Sequence, residues 1–94
     1  MTIRSYRNDL TRDVASGATP KGFPVDLCRR AVRKLTMIKY AERLTDLRSP
    51  PGNRLEALKS NRKGQFSIRI NDQYRLCFRW TNEGPTDVEI VDDH

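Results

Sequence analysis

Few side chains in this 94-residue sequence have the means to do chemistry, and the strongest grouping is cationic. Arg69, Arg75 and Arg79 recur along a stretch of alternating polar and apolar residues, with Cys77 between the last two. Arginine carries a planar fork of N–H donors that matches phosphate and carboxylate oxygens, so three of them on one face require an anion. The only histidine is His94, the last residue, and it is the sole side chain with an ordinary pKa near neutrality. Acid–base work by a pair of histidines is ruled out by that count. Any such pair must combine His94 with a carboxylate or a lysine, such as Glu56 or Lys59. A terminal histidine either frays or, if residues 87–92 pair into a sheet, reaches the arginine face. Cationic neighbours lower a thiol pKa, but with no second histidine and no oxyanion motif Cys77 reads as structural. Phosphate-loop, dinucleotide, zinc-ligand and nucleophile-elbow patterns are absent.

The arginines depend on the strands that carry them. Phe66, Ile68 and Ile70 alternate with Gln65, Ser67 and Arg69, and Tyr74, Leu76, Phe78 and Trp80 alternate with Arg75, Cys77 and Arg79. Both apolar sets meet the same layer only if Ile70 sits opposite Tyr74, across a loop of Asn71, Asp72 and Gln73. That register puts Arg69 directly across from Arg75, a like-charge pair costing about 0.2–1 kcal/mol. The face therefore needs either a bound phosphate, the reading preferred on chemistry, or an internal network with Asp87, Glu89, Asp92 or Asp93.

Around this hairpin the sequence predicts a strand over 2–7 and a short helix opened by Asn8-Asp9 and running to about residue 15. A loop follows over 16–22. Pro24 suits a first helical position, Asp26 the first turn, and Cys28, Ala31, Val32, Leu35 and Ile38 form an apolar stripe. Arg29, Arg30, Arg33 and Lys34 fall on the other side, which reads as a solvated face or one turned to phosphate or an acidic partner. Residues 45–53 form a connection around Pro50-Pro51, and strands are expected at 54–59, 65–70, 74–80 and 87–92. Helices first and strands afterwards indicate an α+β domain with a mainly antiparallel sheet, a single domain over residues 1–94.

The composition narrows the partners. Eighteen basic against 12 acidic residues give a net charge of +6, and 13 of the basic ones are Arg. Residues 48–81 hold eight basic and two acidic side chains, whereas residues 82–94 hold no basic and five acidic. A positive surface favours nucleic acid, an acidic protein or an anionic membrane. No apolar run approaches the roughly 18–20 residues of a membrane span, and the opening residues lack a signal-peptide stretch. Two cysteines make neither a disulfide scaffold nor a metal site. A cytoplasmic protein without metal or cofactor is expected.

Two runs carry a resemblance. Arg48-Ser-Pro-Pro-Gly-Asn-Arg-Leu-Glu-Ala-Leu-Lys59 and Arg62-Lys-Gly-Gln-Phe-Ser-Ile-Arg-Ile-Asn-Asp-Gln-Tyr-Arg-Leu-Cys-Phe78 resemble the HigB toxins of the RelE/ParE superfamily, as does the closing Val88-Glu-Ile-Val-Asp-Asp-His94. The resemblance implies a RelE-like α+β fold, two helices on an antiparallel sheet. It implies a helix-turn-helix HigA-like antitoxin as partner, with DNA met only through that complex. It also implies metal-independent cleavage of mRNA in the A site of the ribosome's 30S subunit, the 2′-hydroxyl attacking the scissile phosphate. By position, Lys59 and Arg75 match basic residues at that phosphate, His94 matches a C-terminal catalytic histidine, and Glu56 stands where some members have histidine. Arg62, Lys63, Arg69, Arg79 and Asp92 are the further candidates for RNA contacts. Asp93 departs from the Tyr that many members carry before the final His, which removes a base-stacking platform. A ParE-like gyrase inhibitor, or a catalytically weakened member acting with its antitoxin, is the alternative.

Overall fold

A computed structural model describes residues 2–92. Two helices, α1 (Asp9–Ala15) and α2 (Val25–Tyr40), precede four strands: β1 (Glu56–Ala57), β2 (Phe66–Arg69), β3 (Tyr74–Thr81) and β4 (Gly84–Asp92). The strands form one antiparallel sheet in the order β1-β2-β3-β4. The fold is the α+β, RelE-like arrangement expected from the sequence.

Asn8 caps α1 as its type suggests, its side-chain oxygen accepting from the Thr11 amide at 2.9 Å. Pro24 sits one place before α2 rather than inside it, its fixed φ serving as the approach to the first turn. Leu27, Cys28, Ala31, Leu35 and Ile38 line the buried face of α2. They pack on Ile68, Ile70, Leu76, Phe78, Val88 and Ile90 from the sheet, with Val14 of α1 closing the cluster. Each buried Val, Leu, Ile or Phe side chain contributes about 1.5–3 kcal/mol by leaving water. Val32, placed in the same stripe, packs at its margin.

The β2–β3 hairpin has the expected register, with Arg69 opposite Arg75 and Ile68 opposite Leu76. Asn71 builds the turn by accepting from the amides of Gln73 and Tyr74 at 2.8 and 2.7 Å. Three expectations about strands change. Residues 2–7 make no full strand; the segment runs parallel to β4 with a single bridge, Tyr6 to Val88. The Arg4 and Arg7 amides donate to Pro85 and Val88, and Ser5 accepts from Val88, so the segment covers an edge that would otherwise be open. The strand expected at 54–59 shrinks to Glu56–Ala57, because Arg54 and Ser60 adopt left-handed backbone at φ 48° and 57°. Lys59 is thereby outside the sheet. β4 begins at Gly84, three residues early, and a bulge around Asp87 (φ 54°) absorbs one extra residue against β3. The 45–53 connection is not irregular throughout. It holds 3-10 turns at Leu44–Arg48 and Pro51–Asn53, and the latter ends on a fully buried Asn53.

Candidate functional site

Alternation turns Ser67, Arg75, Cys77, Arg79 and Glu89 away from the helices, and β1 adds Glu56 to the same face. At its centre lies Arg75. Its Nε donates to Ser67 Oγ at 2.8 Å and its Nη2 to the carbonyl of Arg54 at 2.9 Å. The same Nη2 meets Glu56 Oε1 at 3.1 Å. Ser67 is fully buried and the Arg75 side chain only 10% exposed, whereas the Glu56 side chain is 59% exposed. The guanidinium is thus fixed from beneath by neutral oxygens and met by a carboxylate on the solvent side. Nη1, which carries two N–H donors, donates to no group among the described residues.

The left-handed turn at Arg54 is what aims its carbonyl at Arg75. A non-glycine residue held at positive φ carries a local cost, here offset by a charged hydrogen bond. Glu56 is brought to Arg75 by strand pairing, opposite Ser67 in the ladder. Lys59 is exposed just beyond, before the 3-10 turn Ser60–Arg62, and its ammonium has no carboxylate partner among the described residues.

Beside Arg75, the arginines of this face and its margin are each met by a carboxylate. Arg79 faces Asp87 at 3.7 Å, and Arg62 and Arg7 share Glu89 Oε1 at 3.2 and 3.7 Å. Arg69 pairs with Asp72 in its own turn. Of the acidic partners expected for this face, Asp87 and Glu89 serve Arg79 and Arg62, while Arg69 and Arg75 use Asp72 and Glu56. The Arg69–Arg75 pair is tolerated because each guanidinium turns to a separate carboxylate instead of sharing one space.

Arg62 and Arg79 line an open pocket of about 310 Å³ with Arg7, Asn61 and Gln65. Gly64 stands against it, where a Cβ would come within 2.9 Å of Arg79 Nη1. Lys63 is exposed in the adjoining turn. Asp92 lies elsewhere: it pairs with Tyr74, so alternation puts it on the side of Ile90 and not of Arg75, and it accepts from Gln73 Nε2 at 3.1 Å. Asp93 and His94 lie outside the described residues. Both cysteines are buried and neither is in a disulfide. No cluster with metal-ligand character occurs among the described residues. No described helix is long and apolar enough to cross a membrane.

Sequence reasoning missed Ser67, the Arg54 carbonyl, Arg7, Asn61 and Gln65. Ser67 had a signal, since the hairpin register sets it one row from Arg75 on the same face. The Arg54 carbonyl had none, because a left-handed arginine has no sequence signature.

The family described as RelE-like toxin of type II toxin–antitoxin system HigB matches residues 4–94. An uncharacterized protein of Haemophilus influenzae is 42% identical over 78 residues, covering 82% of this chain and 77% of that one. Toxin HigB-1 of Vibrio cholerae is 54% identical over 60 residues, covering 64% of this chain and 63% of its own length. With the two helices over an antiparallel sheet and an arginine-bearing open face, these likenesses place the chain in the HigB-like family of RelE-like toxins of type II toxin–antitoxin systems.

Proposed function

We propose that this toxin is an endoribonuclease that cuts mRNA in the ribosomal A site and so stops translation. The observation that carries the proposal is the Arg75 guanidinium, immobilised by Ser67 and Arg54 with Nη1 in reserve, beside the exposed Glu56 carboxylate. A preorganised donor aimed at developing charge is the largest contribution to catalysis of this type. Glu56 takes the proton of the 2′-hydroxyl, whose oxygen attacks the adjacent phosphorus. Arg75, with Lys59 arriving from the solvent side, holds the added negative charge on the phosphorane oxygens. The bond from phosphorus to the 5′-oxygen breaks, that oxygen gains a proton, and a cyclic phosphate and a 5′-hydroxyl end result. The family resemblance assigns the donated proton to His94. Arg62, Lys63, Arg69 and Arg79 extend the positive surface for the RNA backbone.

A type II toxin has an antitoxin partner; a HigA-like helix-turn-helix protein is the one proposed here. Small size and an open face fit a protein that works on a substrate already held by a larger particle. Mapping mRNA ends on programmed ribosomes tests the proposal. Wild type should cut within the A-site codon, and Arg75→Ala should slow cutting by about 10²-fold or more. Intact mRNA with wild type, together with blocked gyrase supercoiling, would replace the nuclease by a ParE-like activity.

A further inference from the structure

A second cationic pocket lies beside α2, outside the Glu56–Arg75 set. It measures about 260 Å³ and is lined by Arg30, Arg33 and Lys34 of α2, Gly52, and Arg69 and Ile70 at the end of β2. Four of these six residues are cations. Among the described residues Asp72 pairs with Arg69, and Asp26, the acid of α2, pairs with Arg29. Arg30 and Arg33 have no carboxylate partner among the described residues.

Lys34 is built into the wall. Its ammonium donates to Asn53 Oδ1 at 2.5 Å, and the Asn53 amide is anchored on the carbonyls of Leu47 and Ser49 at 3.1 and 3.3 Å. A neutral oxygen therefore holds the ammonium in place without cancelling its charge. Burial pushes the Lys34 pKa down, and Arg33, Arg69 and Arg30 push it the same way. Charges spaced three and four apart on one helix face repel by a few tenths of a kcal/mol each, so gathering these cations opposes the fold slightly.

The lining decides the class of anion. Its one apolar side chain, Ile70, is buried in the core. A protein partner needs an apolar pocket for its aromatic or aliphatic anchors, whereas nucleic-acid interfaces are polar and strongly positive. Three guanidinium forks with an ammonium suit phosphate oxygens. We infer that this pocket binds a phosphodiester of RNA, at a point separate from the strand held by Arg75. The inference rests on the RNA reading of the function only for the kind of nucleic acid. Arg69, opposite Arg75 in the ladder and lining this pocket, joins the two sites into one bipartite surface.

Fluorescence anisotropy with non-cleavable 2′-O-methyl RNA tests this without any cleavage step. A single strand of about 12 nucleotides and a hairpin of the same composition are titrated against wild type, Arg75→Ala and the double variant Arg30→Gln/Arg33→Gln. Both helix arginines are exposed, so melting of the double variant should match wild type. The double variant should bind more weakly, with its log-affinity against log-salt slope flatter by about 1 for each lost phosphate contact. The RNA that shows the change identifies the source of the phosphate, the cut strand or a folded segment. Wild-type affinity and slope for both RNAs in the double variant would overturn the inference. So would binding of a polyglutamate peptide that requires Arg30 and Arg33 when neither RNA does. If wild type cuts no mRNA but the double variant still loses RNA affinity, the nuclease proposal fails and this one stands.

Discussion

Replacing Ser67 by alanine isolates the support beneath Arg75. The serine hydroxyl accepts the Arg75 Nε–H at 2.8 Å in a place where Ser67 is fully buried and the arginine side chain is 10% exposed. Alanine fills nearly the same volume, so the cavity contribution is small and the loss is that of one hydrogen bond to a charged group. Such bonds contribute about 1.5–3 kcal/mol, and a buried donor left without a partner costs about 1–3 kcal/mol. Urea denaturation should therefore show Ser67→Ala destabilised by about 1.5–3 kcal/mol, with a melting temperature about 4–8 °C lower for each kcal/mol lost. A double-mutant cycle with Arg75→Met should return a coupling energy of at least about 1 kcal/mol. In the ribosome cleavage assay kcat should fall while KM changes little, because the guanidinium is still present but less well aimed. A coupling energy below about 0.3 kcal/mol would refute the idea that Ser67 positions Arg75.

Two further outcomes follow from buried and capping groups. Asn53→Ala should cost about 2–4 kcal/mol in urea denaturation, since it strips partners from the Leu47 and Ser49 carbonyls and from Lys34 together; a loss below about 1 kcal/mol would contradict the tie it makes between α2 and the 45–53 connection. Asp46 accepts from the Arg43 and Glu42 amides, which hold its carboxyl below the usual 3.8. The stability it adds is complete above that value and is lost as pH falls through the lower folded pKa. Thermal melts of Asp46→Ala should thus lie below wild type at neutral pH and converge with it in acid; a constant gap would contradict the cap.

Most of the hairpin and the helix layer is legible in local residue patterns. Alternation over 65–70 and 74–80 sets which faces meet, and the short Asn71-Asp72-Gln73 loop selects the register within that choice, so Arg69 opposite Arg75 is legible from neighbouring residues. The stripe on α2 and the Asn8 cap are legible for the same reason: period and local hydrogen bonding are properties of a few neighbouring residues. Which charges meet depends instead on the assembled fold. Glu56 reaches Arg75 because β1 pairs it with Ser67, while left-handed backbone at Arg54 and Ser60 holds β1 to two residues and leaves Lys59 outside the sheet. Arg69 turns from the Arg79 side to join Arg30, Arg33 and Lys34, which are 35 or more positions away in sequence. Side-chain electrostatics act over a few ångströms between segments distant along the chain, and no local pattern encodes those distances. The net charge of +6 came from the composition, and its division into an arginine held beside a carboxylate and a separate cluster beside α2 came from the fold.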